Sequence, residues 1–359
     1  MRQRYFYTIL TAAVLTVLLL QPTLAQRAAP AVSDQPDTSF KLATFDSQGK
    51  VGVGLVLGDY VLDISGANAH LMKQARLPAM RMPAEMRELI EQYGTVSKRL
   101  YQIANYWKDK KLDGLGFAHE ISRVSLKAPI KYPYNLLCMA ANYRTHAAEM
   151  GVAAQIDPDK DDPYIFAKSP RSCIIDPGTP YIIPPARQRI DWEGELAFVV
   201  AKPAFNVSLQ KADDYIFGYT IMYDVSDRGG GRRTKPMFQG PDWFSGKSRD
   251  GAAPMGPFIV PKEFLPNHAS LRIRTWVNDR VVQDGNTKYL IYDVEHILAY
   301  ASSILTLYPG DVFSTGTPDG VGAARKPPEF LKPGDTVTIE IEGIGTLKTP
   351  LQAGSSPAQ

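Results

Sequence analysis

The chain has 359 residues, of which 44% are hydrophobic, and its 40 basic and 37 acidic side chains give a formal net charge of +3. This is the composition of an ordinary globular protein, and the length allows two domains. Residues 1–25 carry two basic side chains and no acidic one, so the rest of the chain has a net charge of +1. That balance argues against nucleic acid or an anionic membrane as a partner.

Residues 1–25 have the pattern of a secretory signal peptide. Arg2 and Arg4 precede an apolar run over residues 6–20, and Thr-Leu-Ala at 23–25 supplies small residues before the expected cleavage site. The run is shorter than the roughly 20 apolar residues of a membrane-spanning helix, and an uncleaved anchor is the alternative. We therefore expect an exported protein, periplasmic or secreted, with no membrane contact after cleavage.

The next segments predict a linker followed by a small domain. Residues 26–38 are rich in proline, alanine and polar residues, which is typical of a linker. The sequence GVGLVLG at 52–58 belongs to a hairpin rather than a dinucleotide site, because a strand follows it where that site needs a helix. Apolar residues at helical spacing over 83–107 predict a helix. Together these elements predict a small α/β domain over residues 39–120.

Residues 125–352 are predicted to form a second, strand-rich domain. Near its start an apolar strand runs into Asn142, a suitable helix N-cap, and then into a short helix. His146 and Glu149 lie three residues apart in that helix and share a face. A carboxylate beside an imidazole raises its basicity, so the pair is a candidate general base acting through water, and a surface pair is the alternative. The polar stretch at 151–163 is long enough for a lid.

The sequence DWEGELAFVVA, which begins at Asp191, combines acidic side chains with a buried strand. Asp191, Glu193 and Glu195 alternate along it and are expected to share one face, while Asp224 ends another apolar strand. Carboxylates that meet from separate strands suit a hard divalent cation such as Mg²⁺, which keeps waters that a chelating substrate can replace. A solvent-facing strand is the alternative. No HExxH motif or Cys/His set indicates zinc.

Two further groups complete the candidate residues. Lys247 is either a functional cation or an ordinary exposed lysine. The sequence STGTPDGVG at 314–322 either cradles a carboxylate with its hydroxyls and glycine amides or forms only a tight loop. No G-x-S-x-G sequence occurs, which argues against a serine hydrolase. Cys138 is expected in the core, its pairing with Cys173 is left open, and residues 353–359 are expected to form a disordered tail.

Six motifs, taken together, resemble the fumarylacetoacetate hydrolase family. They are NYRTHAAEMG, DWEGELAFVV, YDVSDRG, GKSRDGAAPMGP, NDRVVQDGNT and YPGDVFSTGTPDGVG, and they occur in the family's order within residues 129–351. The resemblance implies an α+β fold, namely a β-rich mixed β-sandwich roll preceded by the small α/β domain. It also implies a homodimer.

The resemblance assigns roles to individual residues. Asp191 matches a family position that is not a metal ligand. Gly-Gly-Gly at 229–231 departs from the family's usual Arg-Asp sequence and leaves the identity of the substrate open. The matching positions are Glu193, Glu195 and Asp224 as ligands of Mg²⁺ or Mn²⁺, His146, Glu149 and Lys247 as catalytic residues, and Arg228 and Thr317 as substrate-binding residues.

Three functions remain as expectations. The first is metal-dependent hydrolysis of a carbon–carbon bond in a 2,4-dioxo acid, such as an acylpyruvate or fumarylacetoacetate. His146, oriented by Glu149, would activate water, and Lys247 would stabilise the enolate together with the cation. The second is decarboxylation, hydration or isomerisation of a 2-oxo acid through the same enolate. The third is a periplasmic keto-acid binding protein, against which the His–Glu pair argues because binding needs no base.

Overall fold

The computed structural model describes residues 32–151, 156–157, 160–185, 187–229 and 242–355. The predicted signal peptide lies outside these described residues, as do parts of the predicted linker, lid and tail. Within the described ranges, no helix is both long enough and apolar enough to cross a membrane.

An antiparallel five-stranded sheet organises the N-terminal part of the chain. Its spatial order is β4-β3-β2-β1-β5. The strands are β1 (Lys41–Ser47), β2 (Lys50–Leu57), β3 (Tyr60–Asp63), β4 (Ala118–Glu120) and β5 (Ser125–Lys127). The glycine-rich sequence at 52–58 therefore lies in a hairpin, as predicted. β5, which the prediction placed at the start of the second domain, pairs with β1.

Three helices lie between β3 and β4 in the chain. They are α1 (Ile64–Ala75), α2 (Met86–Glu91) and α3 (Tyr93–Trp107). The single helix predicted over 83–107 is thus two helices, separated at Gln92, whose dihedral angles of φ −97° and ψ 6° lie outside the helical range. The break lets apolar side chains of both helices enter the same core.

A six-stranded mixed sheet forms the centre of the molecule. Its order is β15-β12-β11-β18-β6-β7, with β18 and β6 parallel and the other pairs antiparallel. The strands are β6 (Leu136–Met139), β7 (Ile165–Ala167), β11 (Gly194–Val200), β12 (Ile216–Tyr223), β15 (Val260–Pro261) and β18 (Val312–Ser314).

A second five-stranded sheet has the order β17-β16-β19-β20-β9. Its strands are β9 (Tyr181–Ile183), β16 (Arg272–Val277), β17 (Arg280–Asn286), β19 (Thr336–Ile341) and β20 (Gly345–Ala353). Two short pairs complete the strands, β10 (Ile190–Asp191) with β13 (Ser226–Asp227), and β8 (Ile174–Ile175) with β14 (Ala253–Pro254). The remaining helices are α4 (Arg144–Glu149), α5 (Pro170–Cys173), α6 (Trp243–Lys247) and α7 (Val294–Ile304).

The central sheet is buried on both faces, and β11 shows why. Its side chains alternate, so that Leu196 and Phe198 enter the core shared with the second sheet, whereas Ala197 and Val199 enter a core shared with the N-terminal helices. All seven residues of β11 are buried as a result. The predicted α+β class, with two packed sheets preceded by a small α/β unit, is confirmed.

Candidate active site

The acid cluster comprises Glu193, Glu195 and Asp224, and the pairing of β11 with β12 brings it together. Asp224 directly follows β12, and its N–H donates to the carbonyl of Glu193 at 3.0 Å. One carboxylate oxygen from each residue lies within 4.8 Å of the others, and all three residues are buried. An all-oxygen donor set of this size fits a hard divalent cation.

Asp191 lies outside the acid cluster, and the single continuous strand that was expected to carry all three alternating acids is not formed. The strand is interrupted, because β10 ends at Asp191 and β11 begins at Gly194. The Asp191 carboxylate instead accepts hydrogen bonds from the N–H groups of Gly322 and Ala323 at 2.7 and 3.1 Å. Burial raises the pKa of Asp191, and the neighbouring Arg228 acts in the opposite direction.

Two buried lysines contact the acid cluster. The ammonium of Lys247, at the end of α6, lies 2.7 Å from Glu193 Oε2 and 2.5 Å from Asp224 Oδ2, so the alternative of an exposed lysine is wrong. Lys168 forms an ion pair with Asp224 and is also buried, yet the sequence analysis did not select it. Its signal was a lysine directly after the apolar strand β7.

Neighbouring positive charges stabilise the ionised form of Glu193 more than that of Glu195. Burial opposes ionisation of Glu193, but attraction by Lys247 and Arg228 outweighs it and lowers the pKa of Glu193. Burial, together with repulsion by Asp224 and Glu193, raises the pKa of Glu195 well above its usual range. A bound cation would favour the ionised form of Glu195, because a nearby positive charge lowers the pKa of a carboxyl group.

His146 and Glu149 form the predicted pair on α4. His146 is buried, and its Nδ1 lies 2.8 Å from Glu149 Oε1. The N–H of Gly320 donates to the other oxygen of Glu149 at 2.9 Å, which fixes the carboxylate between the helix and the loop at 314–322. Gly316 of the same loop donates to Glu195, so the loop at 314–322 connects the pair to the acid cluster.

Asn142 does not cap α4, which corrects the sequence-based expectation. Tyr143 occupies the N-cap position and makes no side-chain cap hydrogen bond. The side chain of Asn142 instead donates to the carbonyls of Tyr292 and Thr315 at 2.9 and 2.8 Å and accepts from the N–H of Tyr292. Asn142 therefore joins three segments behind the site.

The loop at 314–322 contacts the cluster directly. The Ser314 hydroxyl and the Gly316 N–H donate to one oxygen of Glu195 at 2.5 and 2.9 Å. Gly316 has φ +94°, and a Cβ there would lie 2.9 Å from the Asn142 side chain, so this position requires glycine. The loop is thus more than a tight turn, because it orients a candidate metal ligand.

The two predicted substrate-binding residues have different hydrogen-bond partners. Arg228 donates from Nε to Asp191 at 2.9 Å and from Nη2 to Glu193. Thr317 donates to the carbonyl of Gly194 at 3.0 Å and accepts from the amide of Gln283 at 2.8 Å. Gln283, which the sequence analysis did not select, also accepts from the N–H of Gly194 at 3.1 Å.

Comparison with known proteins gives consistent results. The model of the fumarylacetoacetate hydrolase C-terminal domain matches residues 135–352. The mitochondrial oxaloacetate tautomerase fahd2 of Xenopus laevis is 36% identical over 89% of this chain and 92% of its own. Oxaloacetate tautomerase YisK of Bacillus subtilis is 34% identical over 87% of this chain and 99% of its own.

A solved structure extends the comparison to a bound ion. The maleylpyruvate hydrolase of Sphingobium sp. SYK-6, in complex with manganese(II) and pyruvate, is 26% identical, has a TM-score of 0.65, and is matched over 88% of this chain and 100% of its own. The domain model spans more than half of this chain, and both tautomerases are matched over nearly their whole length. The chain therefore belongs to the fumarylacetoacetate hydrolase family, and it is an enzyme of that family.

Proposed function

We propose that the protein is a divalent-cation-dependent tautomerase of a 2-oxo acid, with oxaloacetate as the first substrate to test. The observation that carries the proposal is the pair of buried His146 and partly buried Glu149, which the loop at 314–322 connects to an acid cluster of three candidate oxygen ligands. The two tautomerases are more similar to this chain in sequence than the maleylpyruvate hydrolase is, which supports tautomerisation over hydrolysis. Mg²⁺ and Mn²⁺ are the proposed cations, and the manganese-bound relative supports the second.

Tautomerisation moves one proton between C3 and the oxygen on C2, and this chain offers a group for that transfer. Glu149 holds Nδ1 of His146, which leaves Nε2 of the ring to take the proton from one of these two atoms and deliver it to the other. Lys247 supplies positive charge for the oxygen on C2. A cation held by the acid cluster would supply Lewis acidity at the same oxygen.

The proposal is tested by following the enol absorbance of oxaloacetate with Mn²⁺-loaded protein and with the His146→Asn variant. We expect the wild type to accelerate the decay of the enol and the variant to lose about 10²–10⁴-fold in rate. Pyruvate formation is measured in the same samples, because decarboxylation is the competing outcome. No acceleration above the rate with free Mn²⁺ would contradict the proposal.

Hydrolysis of a carbon–carbon bond is the second candidate, and it was the first expectation from the sequence. The maleylpyruvate hydrolase structure favours it, since that protein is matched over its whole length. The same His146–Glu149 pair would activate water for attack on the distal carbonyl of a 2,4-dioxo acid. Incubation with acylpyruvates separates the candidates, because only hydrolysis releases two carboxylic acids. A keto-acid binding protein would show no turnover with either class of substrate.

Export and dimerisation are further proposals that rest on the sequence. The charged start and apolar run of residues 1–25 support cleavage of a signal peptide. N-terminal sequencing of exported protein should find a start near residue 26, and a start at Met1 would contradict cleavage. The family supports a homodimer. Light scattering at micromolar concentration should give twice the mass of the chain.

A further inference from the structure

Asp191 is a buried carboxylate to which the proposed reaction gives no role. It ends β10, immediately before the acid cluster, and is fully buried. Its two oxygens accept four hydrogen bonds. The donors are the N–H groups of Trp192, Gly322 and Ala323 and the Nε of Arg228.

The ion pair between fully buried Asp191 and Arg228, whose side chain is 19% exposed, contributes little stability once the cost of desolvation is included. Removing two charges from water costs several kcal/mol per ion, and well-packed apolar side chains in place of such pairs are often equally stable or more so. The Asp191–Arg228 pair therefore points to a role in holding nearby segments of the chain in position. Through these hydrogen bonds the pair joins the segment before Glu193, the segment after Asp224 and the end of the loop at 314–322.

Arg228 donates hydrogen bonds to two carboxylates, of which only one belongs to the acid cluster. Its Nη2 donates to Glu193, which is also a candidate ligand of the cation, whereas its Nε donates to Asp191, which is not. A cation that takes oxygens of Glu193 competes with Arg228 for that carboxylate. Asp191 is the counter-charge for which the cation does not compete, so it keeps the guanidinium beside the cluster.

We propose that Asp191 is a positioning residue for substrate binding, which holds Arg228 at Nε so that its terminal nitrogens bind the carboxylate next to the 2-oxo group. The proposal rests on the proposed function, because it assumes a 2-oxo acid as ligand. A guanidinium binds a carboxylate best with two parallel N–H groups, and that geometry requires a fixed fork. Asp191 also ties this fork to Gly322 and Ala323 and therefore to the loop that holds Glu149 and Glu195.

The test measures the binding of oxalate, a non-reacting mimic of the 2-oxo carboxylate, to Mn²⁺-loaded protein by calorimetry. Asp191→Asn keeps one oxygen as acceptor for the N–H groups of Trp192 and Gly322. It presents the amide NH₂ to Arg228 Nε and to the N–H of Ala323. We expect oxalate to bind about 10- to 100-fold more weakly to this variant, as for the loss of an aligned charge-assisted pair. Mn²⁺ affinity, measured separately, should stay within about threefold of wild type.

Asp311→Asn is the matched control. Asp311 is an equally buried aspartate that accepts from the N–H groups of Asn135 and Tyr308 at 2.9 Å and from the Asn135 side chain at 2.7 Å. Its hydrogen bonds organise a turn and involve none of the site residues. We expect Asp311→Asn to lower the melting temperature while oxalate affinity stays at the wild-type value. A purely structural role for Asp191 predicts that the two variants behave alike.

Three results would overturn the proposal: wild-type oxalate affinity in Asp191→Asn, an equal loss of Mn²⁺ and oxalate affinity, or a wild type that binds no oxalate. Should Asp191→Asn fail to fold, Arg228→Lys replaces it, because lysine keeps the charge but lacks the fork. That variant should also lose oxalate affinity, and unchanged affinity would overturn the proposal. Oxalate binding without tautomerase activity would refute only the proposed function. Tautomerase activity with unchanged oxalate affinity in Asp191→Asn would refute only the role of Asp191.

Discussion

Lys247 shows how a single side chain links the stability of the site to its function. Its ammonium lies within hydrogen-bonding distance of Glu193, Asp224 and the Ser226 hydroxyl. Burial lowers the pKa of Lys247, but attraction by Asp224 and Glu193 outweighs it and raises the pKa above its usual value. The lysine and a divalent cation at the acid cluster would therefore compete for the same carboxylates.

We predict that Lys247→Met binds Mn²⁺ more tightly than wild type, by about tenfold, because a competing positive charge has been removed. Without added metal the variant should melt at a lower temperature, since Glu193 and Asp224 have each lost one of two positively charged partners. Saturating Mn²⁺ should remove most of that difference. Calorimetry and melting curves on one sample measure both effects. Weaker Mn²⁺ binding would show instead that Lys247 organises the ligands.

His146 and Glu149 are predicted to act as a unit. Either His146→Ala or Glu149→Gln should lower kcat by about 10²–10⁴-fold and leave Mn²⁺ affinity unchanged. The double variant should lose little more than the worse single variant, because the second substitution removes a group that already lacks its partner. If His146→Ala abolishes Mn²⁺ binding, the histidine is a ligand. If it lowers only the melting temperature, its role is structural.

The contacts that could be predicted from the sequence join residues close together in the chain, whereas those that were missed join residues far apart. His146 and Glu149 are three residues apart, and helix geometry alone brings them together. Lys168 reaches Asp224 across 56 residues, and Asn142 reaches Tyr292 across 150. No local pattern records such pairings, because they depend on the order of the strands in the central sheet. Apolar periodicity indicates burial and secondary structure but not which strands become neighbours.

At the scale of elements, the interruption between β10 and β11 separates Asp191 from the three carboxylates of the acid cluster. Asp191 and Glu193 would lie on one face of a continuous strand, but β10 pairs with β13, whereas β11 pairs with β12 and β18. Gly194 begins β11 at this interruption. Its N–H and carbonyl are bonded to Gln283 and Thr317, so the start of the ligand strand is fixed from outside the sheet.

We predict that Gly194→Ala lowers both the melting temperature and Mn²⁺ affinity. A Cβ at this position would lie 2.2 Å from Thr275 Oγ1 and 3.2 Å from the Ile339 side chain, so the strand start must shift. Glu193 and Glu195 flank this glycine and would shift with it. Gly52→Ala, on β2, is the control, since a Cβ there meets no atom within 4 Å. Equal Mn²⁺ affinity in the two variants would show that the strand start tolerates the side chain.

At the scale of the whole molecule, the N-terminal unit and the central sheet share one hydrophobic core. Leu42 and Leu100 of the N-terminal unit belong to the same buried cluster as Ala197, Val199 and Val312 of the central sheet. The hydroxyl of Tyr93 adds a hydrogen bond to Glu263 at 2.5 Å across the same boundary. The N-terminal unit therefore covers one face of the central sheet, which carries the candidate metal ligands at its strand ends.

This shared core predicts a single cooperative unfolding transition for the described part of the chain. Leu100→Ala should lower the free energy of unfolding by about 2–5 kcal/mol, because the leucine is fully buried and leaves a cavity. Scanning calorimetry should show the whole transition moving to lower temperature. Separate transitions, of which only one responds to Leu100→Ala, would show that the two parts unfold independently.

The lysines in the acid cluster also separate the folding of this protein from its supply of metal. Lys168 and Lys247 provide positive charge to Asp224 and Glu193 from within the chain, so the strands that carry the ligands can assemble before any ion arrives. Many small metal-dependent domains, by contrast, stay unfolded until they are loaded. A protein that folds before it binds metal would take its cation from the compartment in which it is finally located. Because oxygen ligands accept several hard cations, the composition of that compartment would then decide which ion fills the acid cluster.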